Sequence, residues 1–298
     1  MKQHALFEGW RLPLLIALPQ LLLICLFFYW PALKAIAWSV HLVRPFGNGE
    51  VFVGLDNYAR IVTDWAFWES IRSTALFAVL GVSMSVGISL GLAGLSEYLL
   101  GDSAIYRNLV MWPYAVAGAV VGIILKFVMN PVVGPMSVIN EIWPGAWLPN
   151  QHPWEALLFV ATAFAWMQMP FCFVILTAAL RAIPDDYLAA AAMDGAGPTR
   201  RFIDIQVPMI APQIVFVIVI CTLDSLTHSF GLIDSLTRGG PAGATTILPY
   251  KIYADGFLGL DLSGSSALSV ILMVIIVSVT IVQSMLANRQ KQPGGRHA

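Results

Sequence analysis

Two ionisable side chains in an otherwise apolar segment are the first candidates for chemistry. Asp224 and His228 stand four residues apart, so an α-helix would place both on one face. A carboxylate and an imidazole in that arrangement could relay a proton. A helix that begins near Met209 also ends close to His228, which favours a polar pair at the end of the segment. Both interpretations, a proton relay and an interfacial pair, fit the spacing.

Lys126 is a third ionisable residue within an apolar segment. It lies one turn from the end of that segment, where the long side chain of a lysine can carry its ammonium group out to water. Together with Asp224 and His228, it makes up the set of residues that we predict along a substrate pathway.

Motifs for nucleotide hydrolysis and for metal chemistry are absent from the sequence. The chain has no Gly-Lys dipeptide and therefore no phosphate-binding loop of the G-x-x-x-x-G-K-[ST] kind, and it has no H-E-x-x-H zinc motif. Its three cysteines, at positions 25, 172 and 221, stand singly in apolar segments and predict buried, inert thiols. We expect no catalytic residue, no metal ion and no cofactor.

The most unusual polar segment, residues 183–208, predicts a helical hairpin. Pro184 fixes the start of a helix, and the two aspartates that follow it suit the positive end of the helix dipole. Four alanines, at positions 189–192, continue the helix and leave its surface nearly bare. Gly195 can adopt the left-handed conformation that ends a helix.

A second short helix follows this turn. Gly197 and Pro198 break and restart the chain, and the helix then runs from Thr199 to about Val207. A thin helix that exposes alanine methyl groups suits insertion into a groove on another protein. The same hairpin could also lie on a membrane surface, and both interpretations stay open.

The amino-acid composition indicates the class of protein that contains these segments. Of the 298 residues 58% are hydrophobic and 11% are charged, whereas soluble chains have about 45–50% and about 25%. The net charge of −1 gives no electrostatic basis for binding nucleic acid. The composition excludes a typical soluble enzyme and a disordered chain, and it predicts an integral membrane protein.

Six apolar stretches are long enough to cross a bilayer, whose hydrocarbon core takes about 20 helical residues. They cover approximately residues 12–30, 74–95, 109–129, 156–180, 210–227 and 267–287, with Pro113 and Lys126 interrupting the third. Two pairs of glycines four residues apart, Gly87 with Gly91 and Gly118 with Gly122, predict close packing of the second and third spans.

The distribution of basic residues predicts the orientation. Nine of the sixteen lysines and arginines lie in the two termini and in the two loops on the same side, and six lie on the opposite side. Because basic residues mark the cytoplasmic side, both termini and the hairpin are predicted to be cytoplasmic.

The hairpin resembles the cytoplasmic signature loop of ABC-importer permeases. That loop has the form Glu-Ala-Ala, three residues, Gly, nine residues, and then a hydrophobic residue and Pro. Residues 190–196, with Phe202 and Pro208 downstream, are similar to this pattern, and Ala189 stands where the family usually has Glu.

Other stretches resemble the sugar-type branch of these permeases, and the permeases of glycerol-3-phosphate importers in particular. They are residues 53–58, 112–117, 239–246, 250–253 and 256–261. The resemblance covers nearly the whole chain. It implies an all-α integral membrane protein of the type I importer permease fold, with six transmembrane helices and a cytoplasmic coupling hairpin.

The resemblance also implies partners. The family works as a heteromer of two related permease subunits, two ATPase subunits and a periplasmic substrate-binding protein. The chain is thus expected to be a multi-pass, lipid-embedded permease of the bacterial inner membrane that leaves ATP hydrolysis to its partners. The implied substrate is sn-glycerol-3-phosphate, and a neutral sugar or polyol is the alternative.

Carried over to this chain, the family's coupling residues fall in the hairpin. They are Ala189, Ala190, Ala191, Asp194, Gly195, Ala196, Gly197, Phe202 and Pro208. We expect Asp194 to make a polar contact with the ATPase and Gly195 to set the turn.

Three segments follow from this organisation. Residues 1–72 hold the N-terminal tail, the first span and an outer loop, residues 73–288 the transmembrane domain, and residues 289–298 a cytoplasmic tail.

A proton-coupled secondary transporter that uses Asp224 and His228 is the alternative from another class. It predicts uptake by the chain alone that collapses with the proton gradient, whereas an importer subunit predicts none without its partners.

Overall fold

The computed structural model describes residues 11–44, 46, 49–100 and 104–290, and they are almost entirely helical. The described residues form two compact units. One lies within Met1–Thr63 and Ile252–Ile271, and the other within Asp64–Lys251 and Leu272–Ala298. The first ten residues and most of the predicted cytoplasmic tail, from residue 291, lie outside the described residues, and the predicted three-segment division stays a prediction.

The first unit begins with one long apolar helix. Its elements are α1 (Arg11–Ile24), a π-helical turn (Cys25–Tyr29), α2 (Trp30–Ser39), β1 (His41–Val43), β2 (Glu50–Phe52) and α3 (Asp56–Thr63). The two strands pair antiparallel, with His41 opposite Phe52. The amide of Asn57 closes this corner by donating hydrogen bonds to the carbonyl oxygens of Ser39 and His41, at 2.9 and 3.1 Å.

The second unit holds the longest helices and the hairpin. Its elements up to the hairpin are α4 (Trp65–Leu95), a π-helical turn (Ser96–Leu100), α5 (Ala104–Met111), a 3₁₀ turn (Trp112–Ala115), α6 (Gly118–Val128), α7 (Ser137–Ile142) and α8 (Pro153–Arg181). The hairpin has α9 (Asp185–Met193), α10 (Pro198–Arg201), a π-helical turn (Phe202–Gln206) and α11 (Val207–Met209). Beyond it follow α12 (Ala211–Thr227) and α13 (Phe230–Leu236).

The last elements belong to both units. They are α14 (Leu248–Tyr253), a π-helical turn (Ala254–Leu258) and α15 (Leu262–Gln290).

Four helices are each long and apolar enough to cross a membrane, namely Leu12–Ser39, Trp65–Tyr98, Pro153–Arg181 and Leu262–Met285. Two bent pairs also pass this test, Ile105–Ala115 with Gly118–Val128 and Pro198–Met209 with Ala211–Thr227. If each bent pair counts as one span, the described residues contain the six predicted spans.

The third span differs in form from the prediction. Instead of one helix interrupted at Pro113, it consists of two helical pieces at an angle of 105°. The chain leaves the helical conformation at Val116 (φ −104°, ψ 128°) and Ala117 (φ −62°, ψ 141°). Proline removes a backbone donor, and the helix re-forms only at Gly118.

The core of the second unit lies between α4 and α8. The rings of Phe77 and Phe164 meet edge to face with their centroids 5.3 Å apart. A β-carbon at Gly81 would lie 2.7 Å from the Phe164 ring, so this glycine allows α4 to approach closely. Both phenylalanines are buried. Because lipid tails are as apolar as these side chains, van der Waals packing stabilises the contact, rather than transfer from water.

The two predicted glycine pairs have different outcomes. A β-carbon at Gly118 would lie 3.2 Å from the side chain of Met167, and one at Gly122 would overlap the side chain of Ser235. Close packing at that pair is confirmed. Within the described part of the chain, nothing lies within 4 Å of a β-carbon placed at Gly87 or Gly91.

Candidate functional site

The first helix of the hairpin begins and ends at the residues that the sequence predicts. Pro184 is its N-cap, in an extended conformation, and α9 runs from Asp185 to Met193. Gly195 has φ +81°, the left-handed conformation that ends a helix.

The backbone hydrogen bonds at this end form a Schellman motif. The N–H of Ala196 donates to the carbonyl oxygen of Ala191 at 2.9 Å, and the N–H of Gly195 donates to that of Ala192 at 3.0 Å. The alanines that give α9 its thin surface therefore also provide the carbonyl oxygens that fix the turn. Asp194 is the C-cap residue, and its side chain is exposed.

Helix α9 presents a nearly unbroken exposed surface. Ala189, Ala190 and Ala192 are exposed, and Ala191 is half-buried. At the end of the helix, Met193 is 89% exposed. A large apolar side chain in that state, beside small methyl groups, is a surface that suits contact with another protein.

The second half of the hairpin packs on the C-terminal end of α4. The Phe202 ring packs so closely on Gly94 that a β-carbon there would lie 2.8 Å from it. The Tyr98 hydroxyl donates a hydrogen bond of 2.6 Å to Oε1 of Gln206, which is fully buried. The Arg201 guanidinium lies 5.9 Å from the centre of the Tyr98 ring. The second half of the hairpin is therefore attached to α4 and to the turn that follows it by packing, a hydrogen bond and a cation–π contact.

The predicted coupling residues thus divide into two groups by their surroundings. Most are on the exposed surface of the hairpin, and they are Ala189, Ala190, Asp194, Gly195, Gly197 and Pro208. The half-buried ones, Ala191, Ala196 and Phe202, form its turn or its contact with α4.

A polar cleft lies near the other end of α12. Oδ1 of Asp224 lies 3.0 Å from Nδ1 of His228, and Oδ2 accepts a hydrogen bond of 2.7 Å from the Gln168 amide. Tyr114, Met167 and Leu232 are among the other residues around the cleft, which has a volume of about 280 Å³.

The predicted pairing of Asp224 with His228 therefore forms, at the C-terminal end of α12. The His228 side chain is 80% exposed, whereas that of Asp224 is 34% exposed. Lys126 is exposed in the last turn of α6 and does not line this cleft. The structure thus brings two of the three predicted pathway residues together.

Sequence reasoning missed two features of these sites. Gln168 is the one amide side chain in the fourth span, a signal that could have marked it as a partner for Asp224. The segment from Gly87 to Gly91 also has the G-x-S-x-G spacing of hydrolase nucleophiles. Its Ser89, however, lies fully buried within α4, and its hydroxyl donates to the carbonyl oxygen of Met169 at 3.0 Å, so it is not an exposed nucleophile.

The prediction of three buried cysteine thiols is wrong for one of them. Cys25 is exposed rather than buried, whereas Cys172 and Cys221 are buried, with their sulfur atoms 3.3 Å apart. Among the described residues, no three His, Cys, Asp or Glu side chains are grouped as metal ligands.

The family described as "Binding-protein-dependent transport system inner membrane component" matches residues 103–292. The chain belongs to that family. It is an integral component of the inner membrane and a transport subunit rather than an enzyme. The predicted all-α membrane fold of an ABC-importer permease is confirmed.

Relatives of this permease cover nearly its whole length. It is 38% identical over 284 residues to the "sn-glycerol-3-phosphate transport system permease protein UgpA" of Pectobacterium atrosepticum, a match that covers 95% of this chain and 96% of that protein. The protein of the same name from Rhizobium meliloti is 37% identical over 292 residues, or 98% of this chain and all of that protein.

Solved structures show the same fold. A chain of a bacterial ABC transporter involved in the import of the acidic polysaccharide alginate matches with a TM-score of 0.75 and 19% identity, over 93% of this permease and 95% of that chain. A chain of the inward-facing MetNI methionine ABC transporter matches with a TM-score of 0.53 and 16% identity, over 75% and 93%.

Proposed function

We propose that this permease forms half of the translocation pathway of an ABC importer for sn-glycerol-3-phosphate. The observation that carries the proposal is the identity of 37–39%, over nearly the full length, to permeases named for that substrate. The assembly contains a second permease subunit, two ATPase subunits and a periplasmic binding protein. The permease itself does no covalent chemistry.

The proposed orientation has both termini and the hairpin in the cytoplasm. It is supported by the bias of basic residues, which mark the cytoplasmic side of a membrane protein. In this orientation the N-terminal ends of α4 and α8 face outward, and the cleft at Asp224 lies toward the outer side. The hairpin then faces the compartment that contains ATP.

The hairpin is the docking element for an ATPase subunit. The exposed alanines of α9 and the exposed Met193 fit an apolar groove, and the Asp194 carboxylate at the turn offers a polar contact. At Ala189 the family usually has Glu, and this position is exposed, so one charged contact of the family is replaced here by a methyl group. Closure of the ATPase subunits would move the hairpin and, through Phe202, the inner end of α4.

The cleft at Asp224 is part of the substrate pathway. Its volume of about 280 Å³ is close to the lower limit of about 300 Å³ for small-molecule pockets. Asp224 and Gln168 offer acceptors and donors for hydroxyl groups, and Tyr114 and Met167 give the cleft apolar walls. Asp224 and His228 contribute by contact with substrate, and Lys126 lies at the outer end of a neighbouring helix.

Directional transport needs a ligand-loaded binding protein that favours one conformation of the permease. A partner with equal affinity for the inward-open and outward-open states would shift neither population. Hydrolysis of ATP by the partner subunits then resets the conformation through the hairpin.

Uptake of labelled sn-glycerol-3-phosphate tests the proposal, compared with maltose and glycerol in cells that express the full set of subunits. We expect uptake of the phosphate ester, dependent on the ATPase subunits and on the binding protein. If a neutral sugar or polyol enters and the phosphate ester does not, the substrate assignment is wrong. Uptake by this chain alone that collapses with the proton gradient would instead indicate a secondary transporter.

A further inference from the structure

A second cleft lies between the N-terminal ends of α4 and α8. Its volume is about 200 Å³. Glu69, Arg72 and Ser73 line it from α4, Trp154 lines it from α8, and Ala244 closes it from the loop before α14.

This loop is attached to α4 by a hydrogen bond next to the cleft. The N–H of Leu248 donates to the hydroxyl of Thr74 at 2.9 Å, and both groups are buried. The Ala244 wall therefore has a defined position relative to the α4 residues opposite it.

The cleft holds two charged side chains, Arg72 and Glu69, and their ion pair is loose. Its Nη1 atom lies 3.8 Å from Oε1 of Glu69, which is longer than a hydrogen bond. The Arg72 side chain is 71% exposed and that of Glu69 is 40% exposed, and such exposed pairs contribute little to stability. The planar guanidinium can bind two oxygen atoms of a phosphate group at once.

Two clefts of the second unit follow one face of α8 and differ in their charged residues: Arg72 and Glu69 line the first, and Asp224 and His228 line the second. Leu157 lines the cleft at Arg72, and Phe164 and Gln168 line the cleft at Asp224. These residues are spaced seven and four apart, so they share a face, and Leu157 and Gln168 are separated by about 16 Å along the helix.

The two clefts should therefore interact differently with a phosphate dianion. Neither lysine nor arginine lines the cleft at Asp224, where a carboxylate would repel the anion. The guanidinium at the first cleft attracts it instead.

We propose that the cleft at Arg72 is an anion subsite that binds the phosphate group of a phosphate monoester before the substrate enters the cleft at Asp224. Arg72 holds two phosphate oxygens, and Ser73 adds a hydroxyl donor. The Trp154 ring faces the carbon chain of the substrate. The inference rests on the proposed function for the identity of the substrate, whereas the binding of phosphate in this cleft depends on Arg72.

Two substitutions in this cleft should act in opposite directions. Arg72→Gln removes the positive charge and should weaken phosphate binding by at least about tenfold, as expected for loss of a charge-assisted pair. Glu69→Gln removes the competing carboxylate and should strengthen binding, while Arg72→Lys should keep part of it. Arg238→Gln is the matched control, because Arg238 is an exposed arginine just before the same loop and does not line the cleft.

Binding can be measured on the assembled permease–ATPase complex in lipid nanodiscs, without the binding protein. An Ala244→Cys variant in a Cys25→Ser background reports occupancy through its rate of reaction with N-ethylmaleimide. Inorganic phosphate and sn-glycerol-3-phosphate should slow this reaction at constant ionic strength, and glycerol should not. Copurification of the ATPase subunits shows that each variant is assembled.

The outcomes separate the subsite from the proposed function. Protection by phosphate that is lost in Arg72→Gln, strengthened in Glu69→Gln and unchanged in Arg238→Gln supports the subsite, even if uptake shows another substrate. No protection, or equal protection in the Arg72→Gln variant, overturns the subsite, even if the complex imports sn-glycerol-3-phosphate.

Discussion

The aromatic ring of Phe202 lies on the backbone of Gly94, so the hairpin and the C-terminal end of α4 are in direct contact. A β-carbon at position 94 would be 2.8 Å from two carbon atoms of that ring. The buried Gln206 and its hydrogen bond from Tyr98 hold the same two elements together one turn further along. A partner subunit that moves the hairpin would therefore also displace α4, which spans the membrane.

The contact between Gly94 and Phe202 predicts a size-dependent loss of coupling. Gly94→Val should displace the ring and abolish transport, with the protein still inserted in the membrane. Phe202→Ala in the same chain should restore part of the activity, because it makes room for the new side chain. The measurement is substrate-stimulated ATPase activity of the assembled complex. If the double variant is no more active than Gly94→Val, the contact does not transmit coupling.

Substitution of Gly195 should also abolish coupling, but through the backbone conformation of this residue rather than through a clash with a neighbouring side chain. Its φ of +81° is unfavourable for any residue with a side chain, and a β-branched residue there costs on the order of 1–3 kcal/mol. Gly195→Val should leave insertion intact and abolish transport. The matched control is Gly145→Val, because Gly145 has a similar φ of +82° and open space around it but lies outside the hairpin. Normal transport by a well-expressed Gly195→Val variant would show that the turn is not the coupling element.

The proposed orientation predicts which reagents reach the two sides. In a Cys25→Ser background, Thr199→Cys should react with an impermeant maleimide only from the cytoplasm, and Asn150→Cys only from outside. Both positions are exposed, so a lack of reaction cannot be attributed to burial. Labelling of right-side-out and inverted vesicles gives the comparison. The reversed pattern would place the hairpin outside and remove its role in ATPase docking.

The hairpin could be predicted residue by residue because its signals are local. A proline that starts a helix and a glycine that ends it act within one or two turns, and the structure has both boundaries where Pro184 and Gly195 place them. The resemblance to permeases also lies mainly in this segment and in short loop motifs.

Features that depend on which helices meet could not be predicted in this way. Gly87 with Gly91 and Gly118 with Gly122 have the same spacing, yet only the second pair has a neighbouring side chain close by in the described chain. Two glycines four residues apart show that one face of a helix lacks side chains, but they do not show which element packs against that face. The pairing of Gln168 with Asp224 joins residues 56 positions apart. Pro113 predicts a break in the third span but does not specify its angle of 105°.

The cleft at Asp224 gives the last prediction, which distinguishes an importer subunit from a proton-coupled transporter. A proton relay needs an ionisable group at both positions, so a transporter of that class would stop working in either Asp224→Asn or His228→Ala. In an importer the two changes should differ. Asp224→Asn keeps an oxygen for the hydrogen bond from Gln168 and should reduce uptake only modestly, and His228→Ala removes a side chain that is 80% exposed. Uptake by the full set of subunits should also survive a protonophore in both variants as long as ATP is supplied. Uptake that disappears with the proton gradient, in the wild-type complex and with ATP present, would contradict ATP-driven import. Loss of uptake in both variants would then indicate a relay through Asp224 and His228.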